Sequence, residues 1–258
     1  MPLNATARSF KRIVRAADSG LRDTLGRLHA VVAGIDAEDL HNHDHSANVA
    51  EYAVAVGRAL GFDAERLVKL QRAAFLHDIG KASVSPAILA KRGPLTDDEV
   101  ALMRLHPVAG AAVLHAAGLH DESHWVRAHH ERADGRGYPD GLAGDEIPLE
   151  ASILQVVDSF EAMTSDRPYR PGMAVRDALI ELRRGAGGQF DPVVVAALAG
   201  LIEGGAMRVR ALRSDTTAGR GGHTPLRRPL VLRRRGHHVG QVCEPTFGAR
   251  VGRAPPGG

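Results

Sequence analysis

Five histidines and two aspartates in the first two-thirds of the chain stand where metal chemistry could be done. His77-Asp78 closes an apolar run that starts near Leu67, and His45 falls inside an amphipathic stretch. His106 precedes Pro107, His129 and His130 are adjacent, and Asp158 follows the run Ile153-Leu154-Gln155-Val156-Val157. A bare carboxylate at the buried end of a helix is costly unless a partner charge or a cation compensates it. Imidazole and carboxylate together suit manganese, iron or zinc. Each residue alone also has a plainer role. His77-Asp78 suits a helix-end salt bridge, His45 a satisfied core histidine, and His106 a helix C-cap. His129-His130 suits a buried and exposed pair, and Asp158 a partner for Arg167. Their joint occurrence is what points to ligation. Histidine is also unusually frequent, with fourteen in 258 residues and eleven of them between His29 and His130.

Helices must position these groups, because strand signals are almost absent before the C-terminal segment. Leu21, Leu25, Leu28 and Val32 recur at helical spacing. Asp36 is read as the cap of a long helix running through His45 to about Leu60 and ending at Gly61. Asp63 caps the next helix, whose stripe of Leu67, Leu70, Ala74 and Phe75 leads to His77. Thr96-Asp97-Asp98-Glu99 is a capping box. Further helical patterns cover 107–117, 124–131, 149–164, 174–184 and 192–202. An all-α fold follows, a compact bundle of eight to ten helices. Between Ala133 and Pro148 the periodicity breaks. Asp134 to Gly144 holds four glycines and a proline, a tightly turned loop of the kind that carries function.

The net charge of +3 conceals an asymmetry. From Met207 onward eleven arginines face two acids, a surplus of +9 that leaves −6 on residues 1–206. The 44 residues from Asp215 contain nine glycines and five prolines, a composition that forms no packed core. The expected organisation is an N-terminal helical extension over 1–20, one domain over 21–205, and a disordered basic tail over 206–258. Nucleic acid is not an expected partner, since Phe247 is the tail's one aromatic residue for stacking on bases. The lone Cys243 forms no internal disulfide, and no apolar run reaches membrane-spanning length. Arg8, Lys11 and Arg12 interrupt the N-terminal segment where a secretion signal needs an apolar core, so a cytoplasmic location is expected. A homodimer is an open possibility.

The ordered motifs resemble the HD-GYP family of metal-dependent phosphohydrolases over roughly Leu21 to Ile202. The resemblance rests on His45-Ser46, on Leu76-His77-Asp78-Ile79-Gly80-Lys81, and on His106-Pro107-x-x-Gly110. It continues through His129-His130-Glu131-Arg132-x-Asp134-Gly135-x-Gly137-Tyr138-Pro139 and Val157-Asp158 to Asp166-Arg167-Pro168-Tyr169-Arg170 and Gly188-Gln189-Phe190-Asp191-Pro192. It implies hydrolysis of cyclic di-GMP to pGpG and onward to GMP at a dinuclear centre of iron, manganese or zinc, where a metal-activated hydroxide attacks. One ion would be held by His45, His77, Asp78 and Asp158. The other would be held by Asp78, His106, His129 and His130, with Asp78 bridging. Lys81 would hold a phosphate oxygen, and Arg167 and Arg170 a further phosphate or guanine. Gly137 and Tyr138 would line the substrate, and the Gly-Tyr-Pro loop would offer a surface to diguanylate cyclase (GGDEF) domains. Some relatives carry a third ion beside a glutamate where this chain has His41. Relatives also often carry arginine where this chain has Asn48. Two other readings stand beside hydrolysis of cyclic di-GMP: a non-catalytic receptor for that nucleotide or for a cyclase, and a phosphohydrolase of another nucleotide such as cyclic GMP-AMP.

Overall fold

Local caps and apolar stripes build the helices one by one. The computed structural model describes residues 19–38, 44–91, 93–166, 171–207 and 209. These fall within the first of two units, Met1–Ala211. His41, Arg167, Arg170, residues 1–18 and the basic tail from residue 210 lie outside the described residues.

Helix α1 (Ser19–Glu38) buries Leu25, Leu28 and Val32. Helix α2 (His45–Ala59) is followed by α3 (Ala64–Leu76), which starts where the Asp63 carboxylate accepts from the Arg66 amide at 2.8 Å. A short 3-10 helix, Ile79–Ser83, comes directly after His77-Asp78. Helices α4 (Pro86–Leu89) and α5 (Asp97–Met103) follow, the latter opened by the Thr96–Glu99 capping box. Then come α6 (His106–Ala116) and α7 (His120–Ala128). After the long loop, α8 (Leu149–Thr164), α9 (Val175–Gly185) and α10 (Pro192–Glu203) complete the unit. The Asp191 carboxylate caps α10 by accepting from the amides of Val193 and Val194. Among the described residues there is no strand, only an isolated bridge between Ala186 and Phe190.

The core is organised around α8, which packs against α2, α7, α9 and α10. Its Ile153, Leu154, Val156, Val157 and Phe160 are fully buried, and Tyr52 of α2 meets Phe160 edge to face at 6.0 Å. Each such Leu, Ile or Phe contributes about 1.5–3 kcal/mol on leaving water. Two helix pairs, α2–α3 and α6–α7, flank this centre, and α6 also lies against the 3-10 helix. The histidine-bearing ends of α2, α3, α6 and α7 therefore converge beside the middle of α8.

One expectation is corrected. Asp36 does not cap a helix that includes His45. It lies inside α1, buried, with its Oδ1 accepting from the Ser46 hydroxyl at 2.9 Å. The next helix begins only at His45, after Asp44. The apolar stripe of Leu21 to Val32 carries α1 on through Asp36, and burial gives that carboxylate a tertiary partner in place of a cap.

Candidate metal centre

Helix ends supply most of the site. His77 terminates α3, His106 opens α6, and His129 terminates α7. At these positions an imidazole reaches the carbonyl three residues before it, in the last turn of the helix that has just ended. His77 Nδ1 meets the Ala74 carbonyl at 2.9 Å, His106 Nδ1 the Met103 carbonyl at 2.9 Å, and His129 Nδ1 the Val126 carbonyl at 2.5 Å. A carbonyl only accepts, so each Nδ1 carries the hydrogen and each neutral ring presents a bare Nε2. On His45 the Nδ1 faces the Glu161 carboxylate at 2.7 Å, with the same consequence.

These bare nitrogens point at one another. His45 Nε2 lies 3.4 Å from His77 Nε2, and His106 Nε2 lies 3.4 Å from His129 Nε2. Two lone pairs at that separation repel unless a proton or a cation stands between them. Asp78 spans the two groups with different oxygens. Its Oδ2 is 3.3 Å from His77 Nε2 and 3.8 Å from His45 Nε2, while its Oδ1 is 3.4 Å from His106 Nε2. Asp158 Oδ1 closes the first group at 3.4 Å from His45 and 3.8 Å from His77. His130 joins His106 and His129, and those three form one candidate cluster, with His45, His77 and Asp78 forming another. Nitrogen and carboxylate donors with converging lone pairs, and a hydrogen-bond partner behind four of the five imidazoles, fit divalent first-row cations.

The electrostatics divide the same way. Burial works against charge on His45, but the carboxylates of Glu161, Asp158 and Asp78 outweigh it and push it up to about 10. His77 is also raised, because Asp78 and Asp158 prevail over burial. In the other group burial wins. It pulls His106 down to about 3 despite Asp78, and His129 to about 4 with His77 adding to the effect. His130 is held well below its ordinary value by burial and by His129 and His106. Burial disfavours the Asp78 anion, yet Lys81, His77 and His106 together hold its carboxyl well below the usual range. The second group and Asp78 thus stand in the states that ligation requires, neutral imidazole and ionised carboxylate, whereas a cation entering the first group must displace a proton from His45.

Two acids in the site were not singled out from the sequence. Glu161 sits one turn beyond Asp158 on α8, and besides His45 it receives hydrogen bonds from Asn48 Nδ2 at 3.3 Å and the Ser165 hydroxyl at 2.7 Å. The i, i+3 spacing from Asp158 was the signal available. Glu131 closes the long loop: its Oε1 accepts from the amides of Asp140 at 2.6 Å and Gly141 at 3.0 Å. A Cβ on Gly137 would stand 2.4 Å from both the Glu131 Cα and the Arg132 nitrogen, so only glycine lets the loop fold back this closely. Tyr138 consequently lies over His130, with ring centroids 4.9 Å apart and planes 20° from parallel. Lys81 Nζ is paired with Asp78 Oδ2 at 2.6 Å and remains partly exposed.

The HD domain family model matches residues 32–194, a span that contains every one of these groups. The chain belongs to the HD domain family. Its Gly137-Tyr138-Pro139 loop places it in the HD-GYP subgroup. The HD-GYP chain is 39% identical over 182 residues to the cyclic di-GMP phosphodiesterase response regulator RpfG of Xanthomonas campestris, covering 69% of this chain and 47% of that one. It is also 39% identical over 166 residues to 3'3'-cGAMP-specific phosphodiesterase 3 of Vibrio cholerae, covering 64% and 36%. A cyclic di-GMP phosphodiesterase of Thermotoga maritima is 36% identical over 162 residues, covering 62% and 44%. The chain thus spans less than half the length of these relatives. Among solved structures, the HDG"Y"P protein Bd1817 of Bdellovibrio bacteriovorus superposes with a TM-score of 0.55 at 18% identity, covering 78% of this chain and 68% of that one. It shares this fold. No helix among the described residues is long and apolar enough to cross a membrane.

Proposed function

We propose that this HD-GYP chain hydrolyses cyclic di-GMP at a two-ion centre held by His45, His77, Asp78, Asp158, His106, His129 and His130. The observation that carries the reading is Asp78, whose two oxygens each face a different histidine group within 3.3–3.8 Å. Two divalent ions, when bound, supply charge for the phosphodiester and make hydroxide available near neutral pH. In the reaction one water is consumed, a P–O3′ ester bond breaks, and linear pGpG leaves with a terminal 5′-phosphate. A second hydrolysis of the same kind gives GMP.

The chain's own groups do the positioning. Glu161 holds the proton on His45 Nδ1 and so turns Nε2 inward, as the carbonyls of Ala74, Met103 and Val126 do for their histidines. Lys81 reaches both Asp78 and solvent, so its ammonium shields the bridging carboxylate and offers N–H donors to an arriving phosphate oxygen. Arg167 and Arg170 are the proposed clamps for the second phosphate or guanine, since a guanidinium fork matches those acceptors. The relatives' names support cyclic di-GMP, and the equal identity to a cGAMP-specific enzyme favours cyclic GMP-AMP as a second substrate.

The test is chromatography of products from both nucleotides with the manganese- or iron-loaded chain, alongside Asp78→Ala. The wild type should release pGpG, and the variant should lose both metal and turnover. Full turnover by Asp78→Ala refutes the proposed centre.

A further inference from the structure

Four of the five site imidazoles are locked by a hydrogen bond at Nδ1: His45 by Glu161, His77 by Ala74, His106 by Met103 and His129 by Val126. Among the described residues, no such bond reaches His130. It is instead enclosed by rings: His129 at 4.1 Å, His106 at 5.0 Å and nearly perpendicular, and Tyr138 at 4.9 Å and nearly parallel. The two histidines are themselves members of the site, so among the described rings Tyr138 is the one that comes from outside it.

The loop is built to hold that ring in place. The Tyr138 amide donates to the His130 carbonyl at 3.3 Å, which ties the tyrosine backbone to the residue whose side chain it covers. Gly137 permits the close return against Glu131 and Arg132 that this requires. Beyond Tyr138-Pro139, the Glu131 carboxylate collects the Asp140 and Gly141 amides and fixes the other end of the turn. The guanidinium of Arg104, next to α5, lies 5.2 Å from the Tyr138 ring centroid and adds a cation–π contact.

We infer that Tyr138 is a positioning residue for His130. Its aromatic face does by stacking what a hydrogen bond does for the other four imidazoles, so the Gly-Tyr-Pro loop sets the affinity of the metal position shared by His106, His129 and His130. The inference rests on the two-ion reading above. It requires the ring and not the hydroxyl, because the contact is face to face.

The experiment is calorimetric titration of the chelated full chain with Mn2+, comparing wild type, Tyr138→Phe, Tyr138→Ala and Tyr138→Leu. Thermal unfolding of each metal-free form serves as a check on folding. Two sites are expected in the wild type. Tyr138→Ala and Tyr138→Leu should weaken one of them by about 10-fold or more, the scale of lost outer-shell support, and leave the other unchanged. Tyr138→Phe should match the wild type. His130→Ala should weaken the same site, and adding Tyr138→Ala to it should bring little further loss, since coupled residues are non-additive. Equal affinities in Tyr138→Ala and wild type overturn the inference, as does a Tyr138→Phe variant as weak as Tyr138→Ala. A wild type that takes up only one ion refutes the two-ion reading instead, a result distinct from either of these.

Discussion

A single methyl group at position 80 should disable the metal centre without altering the side chain of any proposed ligand. Gly80 lies in the 3-10 helix immediately after Asp78, pressed against the start of α6. A Cβ built there would stand 1.9 Å from the His106 carbonyl oxygen and 2.5 Å from the Gly110 nitrogen, whereas real Cβ contacts essentially never fall below 3.0 Å. The obstructing atoms are backbone, so the helix and the 3-10 turn must separate by at least about 1.1 Å. Asp78 Oδ1 and His106 Nε2 are now 3.4 Å apart. An opening of that size along their line puts them about 4.5 Å apart, whereas two donors with metal bonds of about 2.0–2.2 Å reach no further than about 4.4 Å from each other. One ion then cannot hold both. Overpacking of this kind costs about 1–3 kcal/mol, or several degrees in melting temperature at about 2–4 °C per kcal/mol for a domain of this size. The assay is metal content by mass spectrometry after chelation and reloading, with thermal unfolding in parallel. Gly80→Ala should retain one ion fewer than wild type. Gly110→Ala is the control: its Cβ would meet Val126 Cγ1 at 3.2 Å and the Gly80 nitrogen at 3.3 Å, so a shift of a few tenths of an ångström suffices. Full metal content and an unchanged melting temperature in Gly80→Ala would refute the reasoning.

Three further outcomes are expected. Glu161→Ala removes the carboxylate that orients His45 and should weaken one metal position by about 10–100-fold, read by titration with Mn2+; an unchanged affinity would deny Glu161 that role. Burial raises the Asp36 carboxyl above its ordinary value despite His45 and Ser46, and among the described residues its Oδ2 has no hydrogen-bond partner. The folded protein therefore binds this proton more readily than the unfolded chain, and wild-type stability falls as pH rises through the folded value. Asp36→Asn does not titrate, so its stability relative to wild type should increase from about pH 4 to pH 7 in urea unfolding; a difference flat with pH contradicts this. Gly200→Ala, at an exposed position in α10 with nothing within 4 Å of the new Cβ, should stabilise the chain by about 0.5–1 kcal/mol in the same assay.

The elements legible in the sequence were those whose signals are local. Asp63 and the Thr96–Glu99 box each mark a helix start, because a cap is satisfied by an amide three residues away. The pattern over 149–164 matched α8 to the residue. Asp36 was misread because its type and position suit a cap, while its actual partner, Ser46, is fixed only by how α1 meets α2. All seven proposed ligands were legible as residue types at helix ends or on apolar faces, and the described site brings them together. Glu161 was legible only as a carboxylate one turn beyond Asp158, since nothing along the chain says that it meets an imidazole 116 residues away. Nor was Tyr138's place over His130, which depends on the return of the loop against Glu131.

The dispersal of the site along the chain has a thermodynamic consequence. Its groups run from His45 to Asp158 and come from α2, the end of α3, the start of α6, the end of α7 and the middle of α8. No shorter fragment contains the constellation, so the unfolded chain offers divalent ions only scattered imidazoles. A ligand that binds the native state alone adds RT ln(1 + [L]/Kd) to stability, about 2.7 kcal/mol for each ion at a hundred times its dissociation constant. Two such terms equal a large fraction of the 5–15 kcal/mol that holds an ordinary domain together. On the two-ion proposal, metal supply would then set how much of this protein escapes unfolding and proteolysis.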